Sequence, residues 1–114
     1  MIGWEAKWEH TNVPQRNSTG FLMPNATRFP RGMKWLVAQV KDLGFQDFGM
    51  YAPMSPPDPD GKNRTLGFES KDAAYFASVG SRWVKVDGLK IARTPGFAEA
   101  EIMQWREGIN ATGM

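Results

Sequence analysis

Two ionisable side chains, Lys85 and Asp87, stand two residues apart in the run Arg82-Trp83-Val84-Lys85-Val86-Asp87-Gly88. Alternation along an extended chain puts both on one face. A carboxylate in that position can act as a nucleophile. A neighbouring lysine would hold it ionised by lowering its pKa, which a nucleophilic carboxylate requires. The plainer reading is an ion pair, or a carboxylate that binds the backbone amides of the next helix. Spacing alone leaves both readings open.

Other residue types that could do chemistry carry less. His10 is the only histidine, and no serine or cysteine triad assembles around it. Asp58-Pro59-Asp60-Gly61 has a faint likeness to a calcium loop but lacks the third acid and the spaced glutamate, so it reads as a turn. With no cysteine in the chain, disulfides and thiolate metal sites are excluded, and no metal or cofactor is expected. Of the tryptophans, Trp35, Trp83 and Trp105 read as core, whereas Trp4 and Trp8 stay undecided between core and a sugar-stacking surface.

These side chains need elements to hold them. Extended runs fit Ile2 to Trp8, Gln46 to Ala52 and Arg82 to Asp87. Helical spacing follows Pro30, with Met33, Leu36, Val37, Val40 and Leu43 on one stripe and Gly44 as the stop. A second helix is expected from about Ser70, with Ala73, Phe76 and Ala77 on one face and Gly80 ending it. A third should begin at Thr94-Pro95, carry Ala98, Ile102, Trp105 and Ile109 inward, and end near Gly113. Between the second strand and second helix, four prolines in Pro53 to Gly61 mark a surface loop. Strands alternating with helices imply an α/β fold with parallel strands, because a parallel connection needs a long return path. A doubly wound sheet and a (β/α)8 barrel both fit, but no Gly-x-Gly-x-x-Gly follows any strand. In a barrel, catalytic groups sit at the carboxyl ends of the strands, where Asp87 falls.

The chain has 114 residues, sufficient for one modest core, with 41% hydrophobic and 23% charged residues. A net charge of +2, with acids and bases interspersed, does not favour nucleic acid. No apolar run approaches the roughly 20 residues of a membrane helix, and the first residues lack the pattern of a signal peptide. Four glycosylation patterns occur, at Asn17-Ser18-Thr19, Asn25-Ala26-Thr27, Asn63-Arg64-Thr65 and Asn110-Ala111-Thr112. They point towards secretory ancestry; the plainer reading is that these residue types cluster in turns and caps.

Several motifs in order carry a resemblance. Arg16-Asn17-Ser18-Thr19-Gly20-Phe21-Leu22 resembles the Arg-Asp-x-x-Gly-x-Leu of the family 27 α-galactosidases, and Phe29-Pro30-Arg31-Gly32-Met33-Lys34 their Phe-Pro-x-Gly-Ile/Met-Lys. Gly49-Met50-Tyr51 is similar to the family's Gly-Ile-Tyr strand. Leu66-Gly67-Phe68-Glu69-Ser70-Lys71-Asp72-Ala73 resembles its next helix, Val84-Lys85-Val86-Asp87-Gly88 its Leu-Lys-Phe/Tyr-Asp-Gly/Asn strand, and Asn110-Ala111-Thr112-Gly113 the end of its following helix. The likeness is dense from Val13 to Gly88.

The resemblance implies part of a (β/α)8 TIM barrel, about three βα units running from the second strand to the fourth helix, in one fragment spanning 1–114. It implies a retaining glycosidase that removes terminal α-linked galactose, which takes one nucleophilic and one acid/base carboxyl group. Asp87 would be the nucleophile, with Lys85 and Tyr51 contacting the sugar. Glu5 would partly replace one of two family aspartates, while Ala6 replaces the other without an acceptor. Ala52-Pro53 stands where the family has Ser-Asp, and one extra residue falls near Gln46-Asp47-Phe48, which would reverse the facing of that strand unless a bulge absorbs it. The family's acid/base aspartate falls beyond Met114, so impaired activity is expected of these residues alone. The family and the glycosylation patterns together imply a secreted or lysosomal/vacuolar setting. The alternative is a non-catalytic half-barrel that self-associates through two open sheet edges, and a third reading is an unrelated small α/β domain.

Overall fold

The computed structural model describes residues 2–4, 16–53, 67–87 and 96–114; for residues 2–4, Pro53, Asp87, Phe97 and Ala98 it describes the backbone alone. Three strands, β1 (Ile2–Trp4), β2 (Phe48–Pro53) and β3 (Trp83–Asp87), alternate with three helices, α1 (Gly32–Asp42), α2 (Glu69–Ser78) and α3 (Phe97–Thr112). The sheet order is β1-β2-β3 and both pairings are parallel, as the alternation predicts. His10, Glu5, the Asp58–Gly61 turn and the expected Thr94-Pro95 cap lie outside the described residues.

The register fixes which side chains share a face. Gly49 pairs with Trp83, Tyr51 with Lys85 and Pro53 with Asp87, without interruption. No bulge interrupts this ladder; Gln46 and Asp47 precede the strand, and the extra residue expected there leaves Tyr51 opposite Lys85. At the base of β3, the Arg82 amide donates to the Phe48 carbonyl at 2.8 Å and the Ser81 hydroxyl to the Trp83 carbonyl at 2.8 Å. The first bond ties the end of the α2–β3 turn to the start of β2; the second closes the turn onto β3.

The other parity of β2 builds the core. Phe48, Met50 and Ala52 are sealed against Met33 and Val37 of α1, Ala73 and Phe76 of α2, and Trp105 of α3; Val84 and Val86 of β3 pack on the same cluster. The Trp105 and Phe76 rings lie parallel, 2° apart in plane with centroids 6.3 Å apart. The helices therefore cover one face of the sheet. Helices α2 and α3 approach closely because α3 offers Gly108 at the contact: a Cβ there would stand 3.1 Å from the Ser70 Cα and 3.2 Å from the Glu69 carbonyl.

Four expectations change. Helix α1 starts at Gly32 rather than in the turn of Pro30, because Gly32 takes a left-handed φ of +81° that no continuous right-handed helix contains. Leu43 is 78% exposed: it is the residue at which α1 stops, past the apolar stripe. Ile102 is 51% exposed, since the close approach at Gly108 sets the buried stripe of α3 at Glu101, Trp105 and Gly108. Trp35 is exposed rather than core, two residues round the helix from Met33, with the Arg31 guanidinium 4.9 Å from its ring centre.

Candidate active site

The segment before α1 is held as a fixed loop. Arg16 and Leu22 form an antiparallel bridge, and the Arg16 guanidinium reaches across to α2, where it makes a bidentate pair with Asp72 at 2.5 and 2.9 Å. It also donates to the Gly20 carbonyl at 3.0 Å and lies 4.1 Å from the centre of the Phe68 ring. Asp72 is fully buried. A buried carboxylate needs such a partner, and the planar fork of arginine supplies two parallel donors. Lys71 adds a bond from its ammonium to the Thr19 carbonyl.

On the sheet face away from the helices, the Trp83 indole lies over Gly49. A Cβ built on Gly49 would fall 2.0 Å from Trp83 Cε2, so glycine is required for that ring to lie down. The indole N–H is buried without a hydrogen-bond partner among the described residues. One step up the ladder comes the Tyr51–Lys85 pair, with Tyr51 half-buried and Lys85 exposed, and above it the Pro53–Asp87 pair closes both strands. The structure thus brings Tyr51 and Lys85 together and sets residue 87 as the last position of β3, two residues beyond Lys85. Glu5 lies outside the described residues. The sequence reading assigned Trp83 to the core and missed its packing over Gly49 on the open face; the signal was a glycine opposite a tryptophan in the strand register.

Two carboxyl groups are buried away from this face, between α2 and α3. Glu69 is 5% exposed and takes the Gly67 amide on Oε1 at 2.9 Å. Glu101 is 3% exposed, and its Oε1 is buried without a hydrogen-bond partner among the described residues, as is the Trp105 indole N–H. Burial pushes the Glu101 carboxyl up to about 7, and the neighbouring Glu69 carboxylate adds to the shift. Burial likewise raises the Tyr75 phenol to about 12. Among the described residues no cluster of three or more His, Cys, Asp or Glu could hold a metal ion, and no helix is long and apolar enough to cross a membrane.

A parallel sheet with its helices on one face, and polar positions gathered at the carboxyl ends of two strands, fits a segment of a barrel wall. Comparison with known proteins makes this specific. The model of the family described as Alpha galactosidase A matches residues 6–114, and the chain belongs to that family. The α-galactosidase A of Aspergillus niger is 36% identical over 94 residues, which is 82% of this chain and 17% of that protein. The α-galactosidase of Lachancea cidri is 31% identical over 101 residues, covering 86% of this chain and 21% of the relative. Among solved structures, an α-galactosidase from Saccharomyces cerevisiae with raffinose superposes with a TM-score of 0.79 at 26% identity, over 99% of this chain and 24% of its own. The α-galactosidase I of Mortierella vinacea gives a TM-score of 0.79 at 28% identity, over 98% and 28%. The chain therefore spans about a fifth of the length of the relatives it matches, and its helices and strands are those of an α/β TIM-barrel family.

Proposed function

We propose that these residues form the nucleophile-bearing wall of a retaining α-galactosidase barrel, from about its second strand to its fourth helix. The observation that carries this is the ladder Gly49–Trp83, Tyr51–Lys85, Pro53–Asp87, which sets a lysine and an aspartate position of equal parity at the carboxyl end of β3 in a chain of this family. The substrate class is a sugar with a terminal α-linked galactose, the kind of ligand that raffinose is in the yeast relative.

In the mechanism, the Asp87 carboxylate attacks the anomeric carbon from the face opposite the leaving oxygen and forms a covalent glycosyl ester; water then releases the sugar with retained configuration. Lys85 donates hydrogen bonds to sugar hydroxyls and favours the ionised form of Asp87. Tyr51, opposite Lys85, lines the galactose pocket, with Glu5 as a further sugar contact. The Trp83 ring on Gly49 closes the pocket floor and keeps Tyr51 and Lys85 from sinking into it. Protonation of the leaving oxygen takes a second carboxyl group, which the resemblance implies on a later strand than these residues form.

The test uses a substrate that needs no proton. Fluoride leaves as the anion, so an α-galactosyl fluoride with a 2-fluoro substituent should label the nucleophile without an acid. The expected result is an adduct on the Asp87 peptide that is absent from Asp87→Ala, together with little turnover of a chromogenic α-galactoside by the 114 residues. An adduct on another residue would overturn the assignment of Asp87. Chromogenic turnover that disappears in Asp87→Ala would overturn the need for a second carboxyl group.

A second reading rests on the same open face. Lys85 is exposed and β1 and β3 are the two edges of the sheet, so these residues could serve as a non-catalytic half-barrel that pairs with another copy. Light scattering separates the two: a monomer across a concentration series removes this version.

A further inference from the structure

Among the three glycosylation patterns within the described residues, one has its own hydroxyl turned onto its own amide. At Asn17-Ser18-Thr19, the Asn17 side-chain oxygen accepts three hydrogen bonds, from the Thr19 amide at 3.0 Å, the Thr19 hydroxyl at 2.8 Å and the Phe21 amide at 2.9 Å. At Asn25 the oxygen takes the Thr27 and Arg28 amides, with no bond from the Thr27 hydroxyl. At Asn110 the Thr112 hydroxyl is instead engaged with the Ile109 carbonyl at 2.6 Å. All three residues of the Asn17 pattern are exposed.

We propose that Asn17 is an acceptor for an N-linked glycan. Oδ1 takes three donors, and on this exposed residue Nδ2 makes no hydrogen bond among the described residues. The loop behind it is tied down: the Asn17 amide donates to the Phe21 carbonyl at 2.8 Å, the Gly20 amide to the Asn17 carbonyl at 3.0 Å, and Arg16 anchors the turn to Asp72. Among the described residues no hydrogen bond uses Nδ2, so a sugar attached there breaks none of these bonds. An aspartate at this position would make the same three acceptor bonds but carries no nitrogen, so asparagine alone offers the atom that the modification requires.

The donor is a lipid-linked oligosaccharide pyrophosphate, used by an oligosaccharyltransferase. Nδ2 attacks C1 of the first sugar, the bond from C1 to the pyrophosphate oxygen breaks, and the lipid pyrophosphate leaves with the electron pair. The amide proton passes to the transferase.

The experiment is translation of the full chain behind a cleavable secretory leader, in the presence of endoplasmic-reticulum microsomes. Protease-protected chains are then treated with peptide N-glycosidase in heavy-oxygen water and mapped. The Asn17 peptide is expected to carry heavy aspartate, with complete loss of that signal in Thr19→Ala and in Asn17→Asp. Because Asn17→Asp keeps the turn, its loss cannot be ascribed to misfolding. Protease-protected chains in which Asn17 is unmodified would overturn the proposal, as would a signal that survives in Thr19→Ala.

Discussion

The two faces of β2 and β3 are one sequence read at alternate positions, yet they answer to different demands. On one face Phe48, Met50 and Ala52 are each at most 1% exposed, locked against three helices. On the other, a tryptophan lies on a glycine, and above it Tyr51 and Lys85 meet a half-open surface. The first face is apolar, insensitive to chemistry and sensitive to volume. The second is polar at its upper end, where an exposed lysine adds little to stability. The division teaches where the free energy of folding is held in this segment: in the layer between sheet and helices, with the open face contributing less.

The sharpest way to break that comparison is to put the two faces under the same insult. Met50→Ala removes a fully buried side chain in contact with the helix layer and should cost about 2–5 kcal/mol, seen as a lower urea midpoint with an unchanged slope. A cost below about 1 kcal/mol would mean that the helix layer does not hold the sheet.

Gly49→Ala tests the floor of the open face. Its new methyl would enter the space of the Trp83 ring, which must tilt or shift, at a cost of about 1–3 kcal/mol. In a Trp83→Ala background the same change should be nearly neutral, and the difference is the coupling between the two positions in a double-mutant cycle. Additive effects would show that the ring does not rest on that glycine.

The sealed side carries one defect that pH exposes. The folded Glu101 carboxyl titrates near 7, raised above the ordinary glutamate value of 4.5 by burial and by Glu69. The folded state therefore holds this proton more tightly than the unfolded chain. The resulting stability is fully present below about 4.5 and is lost as pH rises through about 7. Glu69 faces Glu101 from α2; Asp72, on the same helix, is committed to Arg16. The melting temperature should fall as pH rises across this window, by the equivalent of roughly 2–3 kcal/mol. Glu101→Gln should flatten the profile and be the more stable chain at neutral pH. A wild-type profile already flat over that window would show that Glu101 stays charged in the fold.

Much of this was legible beforehand, for physical reasons that differ by element. Strand β3 announced itself because β-branched and aromatic residues flank Lys85, and parallel order followed from alternation, since each strand must be returned to by a helix. The Tyr51–Lys85 pairing was less accessible. It depends on register, to which the Arg82 bond to Phe48 at the base of β3 contributes, and local patterning does not encode that partner. The stripe of α3 was misread for a similar reason. Ile102 has the right spacing, but the helix rolls to bring Gly108 against α2, so Glu101 goes in and Ile102 goes out. Arg16 and Asp72, 56 residues apart, meet only through the tertiary fold.

The smallest expected effect on folding is also the one that bears most on chemistry. Lys85 is exposed on the open face, so Lys85→Ala should change stability by no more than about 0.5 kcal/mol. In the proposed mechanism the same substitution removes the cation that favours an ionised Asp87 and the donor that orients the sugar. Labelling of Asp87 by the fluorosugar should therefore slow about tenfold or more, equivalent to roughly 1.4 kcal/mol of lost transition-state stabilisation. The two readouts move apart only if the open face is built for binding. A denaturation midpoint that drops as far as that of Met50→Ala, with labelling unaffected, would make Lys85 a structural ion-pair partner and leave the two faces of the sheet with the same task.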